Sequence, residues 1–162
     1  MATSKTRALL VDVARQLFAK NGIEETTMND IAVASEKGRR TLYTYFKNKE
    51  EVYFAVVESE LELMSERMFA VAEQEISPEE KIIELIYTRL EAIKEIVYRN
   101  GTLKAEFFRD IWGVEKARKE FDKNQIELFR RVLNQGKFNN IFDVENTDIT
   151  ATILHYCLKG IE

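Results

Sequence analysis

One cysteine, one proline and one histidine are all that this 162-residue chain contains of those three residue types, and each scarcity excludes something. A lone Cys157 rules out an intramolecular disulfide and suits a reducing compartment. Its helical position offers no basic partner, so it reads as a packed residue rather than a nucleophile. With His155 as the one imidazole, a histidine-rich metal site is impossible, and the Glu-x-x-His pair of a bundle di-iron site is absent. The glycines form no phosphate-cradling loop. No apolar run reaches 18 residues, so no membrane-spanning helix is expected. Asp12 and Arg15 interrupt the apolar residues near the start, so no signal-peptide pattern forms. These absences predict a cytoplasmic protein that is no enzyme and carries no cofactor or metal.

With proline confined to Pro78 and few alternating β-branched runs, the apolar residues fall at threes and fours, which predicts an all-α chain. The net charge of −4 is unevenly distributed. Residues 1–50 carry +3 and residues 51–162 carry −7, a basic head on an acidic body. That asymmetry is expected where only the head meets phosphate.

The densest pattern lies between Thr26 and Lys49. Thr27-x-x-Asp30 ahead of Ile31-Ala32 is a capping-box-like helix start. Ser35-Glu36-Lys37-Gly38 supplies a turn, with Gly38 expected to permit the chain reversal. A second short helix runs from Arg39 to about Phe46. Two helices so closely joined fit a helix-turn-helix, whose second helix enters the DNA major groove. Arg39 and Arg40 open that helix and Lys49 opens the next, behind the cap Asn48. Cations there oppose the helix macrodipole at about 0.3–1 kcal/mol each, which points to an anionic partner. At about 100° per residue, Leu42 and Phe46 share an inward face. Arg40, Thr41 and Thr44 face outward, with Arg39 and Tyr43 on one flank and Tyr45 on the other. Such a surface suits phosphate and base-edge contacts.

Around this segment, Leu10, Val13, Ala14, Leu17 and Phe18 make the stripe of a first helix over 4–20, which Gly22 stops. A long helix follows from Lys49 to about Gln74, capped by Asn48 with Glu51 at N3 and striped by Tyr53, Val56, Val57, Leu61, Met64 and Met68. Ser77-Pro78-Glu79-Glu80 starts another, to about Arg99. Its apolar arc, from Leu85 round through Ile83 to Tyr87, exceeds half the circumference and predicts a helix enclosed on several sides. Arg89 lies within that arc. Either it pairs internally with an acid such as Glu106 or Asp110, or it lines a ligand pocket. Phe107, Phe108 and Trp112, on a short helix from Leu103, are either ordinary core or the wall of a small-molecule cavity. A further amphipathic helix over 114–135 is expected to stop at Gly136, and Phe138, Ile141 and Phe142 should pack the following connection down. Thr147-Asp148 starts a last helix whose apolar residues cover about 200°, wider than one core requires. The spare face predicts a partner and places His155 on the polar, surface side.

Phe18-x-x-x-Gly22, Thr26-Thr27, Asp30-Ile31-Ala32, Thr41-Leu42-Tyr43-x-Tyr45-Phe46 and Lys47-Asn48-Lys49-Glu50 together resemble the N-terminal domain of the TetR family of transcriptional regulators. The resemblance covers roughly residues 7–57. It departs from the family pattern in the turn, where the glycine has moved and the serine cap of the second helix is missing, and at Arg40, where a small residue is usual.

The resemblance implies a three-helix helix-turn-helix DNA-binding domain over 1–48 and a helical-bundle effector-binding and dimerisation domain over 49–162, continuing through at least one further helix. It implies a ligand-responsive repressor, a homodimer on a palindromic operator in double-stranded DNA, released by a small-molecule effector. Carried over by position, Thr27, Tyr45 and Lys49 hold phosphates, and Arg39, Arg40, Thr41, Tyr43 and Thr44 face the groove. Met64, Tyr87, Arg89, Phe107, Phe108 and Trp112 are the candidate effector-pocket residues, and Leu154, Leu158 and Ile161 the candidate dimer contacts. A different class stays open beside it: a helical interaction protein that keeps the fold and acts through a protein partner.

Overall fold

The computed structural model describes residues 5–100 and 114–161. Among them are seven helices: α1 (Lys5–Asn21), α2 (Met28–Ala34), α3 (Arg39–Tyr45), α4 (Lys49–Ala72), α5 (Pro78–Asn100), α6 (Val114–Phe138) and α7 (Thr147–Lys159). No strand occurs among the described residues, so the chain is all-α.

Their starts are set by local hydrogen bonds. Thr27 caps α2 by accepting from the Asp30 amide at 3.2 Å, while the Asp30 carboxylate accepts from the Thr27 amide at 2.9 Å. Ser77 and Glu80 make the same reciprocal pair ahead of α5. Asn48 accepts from the Glu51 amide at 2.9 Å to open α4, and the Glu51 carboxylate reaches back to the Lys47 amide at 2.7 Å. Asn146 caps α7 through the amides of Asp148 and Ile149.

The chain forms two compact units. The first comprises residues 1–60 and 96–115. In it α1 packs on α2 and α2 on α3. Leu10, Ala14 and Phe18 of α1, Ile31 of α2, Leu42 of α3 with Phe46 at its C-cap, and Val52, Tyr53, Val56 and Val57 of α4 form its buried core. The Phe18 and Tyr53 rings meet edge to face with centroids 6.2 Å apart. Burying each Leu, Ile, Val or Phe in this core stabilises the unit by about 1.5–3 kcal/mol, against about 1 kcal/mol for a typical cap.

The second unit comprises residues 61–95 and 116–162. Met64 and Met68 of α4, Leu85 of α5, Phe129, Val132 and Leu133 of α6, and Ala151 and Leu158 of α7 are buried there. The wide apolar arc of α5 does not enclose it on all sides. Its inner stripe runs Lys81, Leu85, Arg89 and Ala92, whereas Ile83 is 51% and Tyr87 61% exposed.

Gly136 differs from expectation: it does not stop α6, which continues to Phe138. It is buried because the Phe142 ring lies against it: a Cβ there would fall 2.1 Å from Phe142 Cδ2. The chain turns instead at Asn140, whose φ is 56°, with the Ile141 amide donating to the Gly136 carbonyl at 2.9 Å. Phe142 packs down as expected, but Phe138 and Ile141 are exposed. The short helix expected from Leu103 to Trp112 lies outside the described residues.

Candidate nucleic-acid interface

The link from α1 to α2 is held tightly. Gly22 turns the chain with φ 86°, and the buried Thr26 hydroxyl donates to the Gly22 carbonyl at 2.8 Å. The Lys49 ammonium, at the start of α4, donates to the carbonyls of Ile23 at 2.7 Å and Glu24 at 3.2 Å. Its placement at a helix N-terminus therefore has a cause inside the chain. Two carbonyl partners hold the charge, so its position at the helix start does not by itself make Lys49 a phosphate ligand.

The α2–α3 turn also departs from expectation. Its left-handed residue is Glu36, with φ 54°, whereas Gly38 is extended with φ −62° and ψ 145°. Any residue adopts that conformation, and a Cβ on Gly38 would meet nothing within 4 Å. Gly38 serves as the N-cap of α3 and, having no side chain, leaves that helix without a side-chain cap bond. On the α2 side the Asp30 carboxyl is held below its ordinary range. The Thr27 hydroxyl donating to it is the larger cause and the Thr27 amide the second.

Leu42 on α3 and Phe46 at its C-cap are buried and carry the helix against the first unit's core. Arg39, Arg40, Tyr43, Thr44 and Tyr45 are exposed and Thr41 is half-buried. Thr44 donates its hydroxyl proton to the Arg40 carbonyl at 2.9 Å, so its oxygen faces outward as an acceptor. Thr27 is exposed as well, one helix away in sequence. The helix therefore presents two guanidinium groups, hydroxyls and tyrosine edges on a rigid support.

Residues 10–56 match the family model described as bacterial regulatory proteins, tetR family. Over 153 residues the chain is 30% identical to the HTH-type transcriptional regulator YhgD of Bacillus subtilis, covering 91% of this chain and 78% of that one. The chain belongs to the TetR family. A solved structure of a TetR/AcrR-family regulator from Thermobifida fusca is 26% identical, with a TM-score of 0.78 over 94% of this chain and 81% of its own. The regulator FadR of Bacillus subtilis, solved in complex with stearoyl-CoA, is 18% identical, with a TM-score of 0.73 over 94% of this chain and 83% of its own. At that identity the likeness concerns the fold. TetR members are DNA-binding transcriptional regulators, which sets the enzyme class aside.

In this TetR chain the candidate pocket residues are not all brought together. Arg89 and Met64 are buried, but Tyr87 turns outward, and Phe107, Phe108 and Trp112 lie outside the described residues, as do Glu106 and Asp110. Arg89 Nη1 donates to His155 Nδ1 at 2.9 Å, and its guanidinium carbon stands 6.0 Å from the Phe121 ring centre. An arginine can only donate, so His155 carries its proton on Nε2. That atom faces Asp122 Oδ1 at 3.2 Å, though too poorly aligned for a hydrogen bond.

His155 is thus not a surface residue: it is fully buried. Burial, and next the Arg89 charge, push its pKa below the usual 6.5, against the opposing pull of Asp122. The sequence held no local signal for this, because the partners come from α5 and α6.

The candidate dimer residues also divide. Leu158 is buried in its own chain, Leu154 is half-buried and Ile161 is exposed. The outward apolar stripe of α7 is Ile149, Ile153 and Tyr156, with Cys157 exposed beside it.

Proposed function

We propose that this TetR chain represses transcription by binding a palindromic operator as a homodimer in the cytoplasm, and that a small-molecule effector releases it. Residues 1–48 act as the DNA-binding domain and residues 49–162 as the effector-binding and dimerisation domain. The observation that carries the reading is the outward face of α3. Two exposed arginines and an acceptor hydroxyl stand over a fully buried Leu42–Phe46 side. Arg39, Arg40, Thr41, Tyr43 and Thr44 face the groove, with the arginines directed at guanine O6 and N7 and Thr44 at an amino donor. Thr27, Tyr45 and Lys49 hold phosphates and fix the register, Lys49 while it braces the carbonyls of Ile23 and Glu24.

Two protomers place their recognition helices in successive major grooves, roughly 34 Å apart. The exposed stripe of α7, with Leu154 and Ile161, supports self-association, and Leu158 supports that helix from within. Among helical bodies of this fold, the one from Bacillus subtilis solved with stearoyl-CoA supports the effector reading. Arg89 in the second unit supplies a cation for it. Effector and DNA weaken one another by the same factor, because coupling of two sites is reciprocal.

The test is fluorescence anisotropy of the chain with a labelled duplex from upstream of its own gene, titrated across salt against random DNA. Tight binding, a steep salt slope and preference over random DNA support the reading. Binding that ignores salt would sink it.

A further inference from the structure

The carboxylate of Glu60 lies on the stripe of α4, four residues after Val56 and four before Met64, and is buried as they are. A charge in that position must be matched, because desolvating it alone is costly. Its partners all belong to the same compact unit. Arg99, in the last turn of α5, holds both carboxylate oxygens, with Nε 3.2 Å from Oε1. The Asn100 amide nitrogen donates to Oε1 at 3.3 Å and to the Ile96 carbonyl at 2.8 Å. From α1, Arg15 brings Nε to 3.9 Å of the same oxygen and donates through Nη1 to the Arg99 carbonyl at 3.4 Å. Asp12, one turn earlier on α1, accepts from Arg15 at 2.8 Å and so aims it.

One carboxylate on α4 therefore gathers the last turn of α5 and the middle of α1. The helices α4, α5 and α6 each run on from this unit into the second, and Glu60 and Arg99 lie on the first two of them. On α1, Leu10, Ala14 and Phe18 are buried, and α1 packs on α2, which in turn packs on α3. Arg15 projects from the same helix.

We propose that Glu60, Arg99 and Arg15 are positioning residues that hold α1, and through it the recognition helix, to the last turn of α5. This joint makes the head responsive to any shift in that turn. The proposal rests on the DNA-binding reading for its consequence but not for its geometry.

Glu60→Gln, Arg99→Gln and the double variant test it in the full chain. Amide hydrogen exchange, measured without DNA, should rise roughly tenfold or more in α1–α3 of either single variant and stay unchanged in α6 and α7. The double variant should be no worse than the singles, because both break one joint. Binding to the upstream duplex should weaken about tenfold with an unchanged salt slope, since no phosphate contact is lost.

A uniform rise in exchange across both units would overturn the proposal, as would additive effects of the two substitutions. A changed salt slope would also overturn it. If the unaltered chain binds no DNA, the function proposed above fails, while the exchange result still decides the joint.

Discussion

A single φ angle shows how much one residue can hold in reserve. Glu36 sits at φ 54°, a region that costs an L-residue about 1–2 kcal/mol and glycine almost nothing. Glu36→Gly should therefore stabilise the chain by about 1 kcal/mol, read as a rise in the urea midpoint with an unchanged slope. A midpoint that falls would show that Glu36 makes a compensating contact. His155 supplies the second case. Its folded pKa lies below the ordinary 6.5, so the fold favours the neutral ring. The unfolded chain takes up a proton as pH falls through about 6.5. Stability from this residue is fully present above that pH and declines below it, by at most about 1.4 kcal/mol per pH unit. Thermal unfolding followed from pH 7.5 to 5.5 should show the decline, and His155→Gln, which can still accept from Arg89, should flatten it. Parallel curves for the two proteins would contradict the assignment.

Helices as elements show where reading the sequence succeeds and where it stops. Helix starts were legible because each cap is a bond between residues three apart: Thr27 with Asp30, Asn48 with Glu51, Ser77 with Glu80. The inward side of α3 was legible too, since Leu42 within its seven residues and Phe46 at its C-cap leave it no other way to pack. Faces of the later helices were not. In α7 the face rich in isoleucine stays outside and His155 goes in, because α5 and α6 supply Arg89 and Asp122 to meet it. Gly136 was equally ambiguous: a glycine near a helix end signals a stop or a close contact, and only the Phe142 ring decides which. Gly136→Ala should therefore cost about 1–3 kcal/mol by overpacking, although the helix itself would favour alanine. Phe142→Ala made alongside it should remove that penalty. A stabilised Gly136→Ala variant would mean that the ring moves aside freely.

For the whole molecule the same residues carry two predictions about assembly and DNA. The α7 stripe of Ile149, Ile153 and Tyr156 is solvent-facing in the single chain. Ile153→Lys should therefore shift sedimentation from dimer towards monomer without lowering the stability of the monomer. An unaltered chain that sediments as a monomer at the same concentration would show that this face is no dimer contact. The claim at the centre is that the outward face of α3 reads base sequence. The direct measurement compares Arg40→Ala with the unaltered chain on the upstream duplex and on random DNA, across salt. Arg40→Ala should lose about 1–3 kcal/mol on the operator, relax preference at one base pair, and lose much less on random sequence. Equal losses on both would make Arg40 a phosphate contact and contradict base reading by this residue.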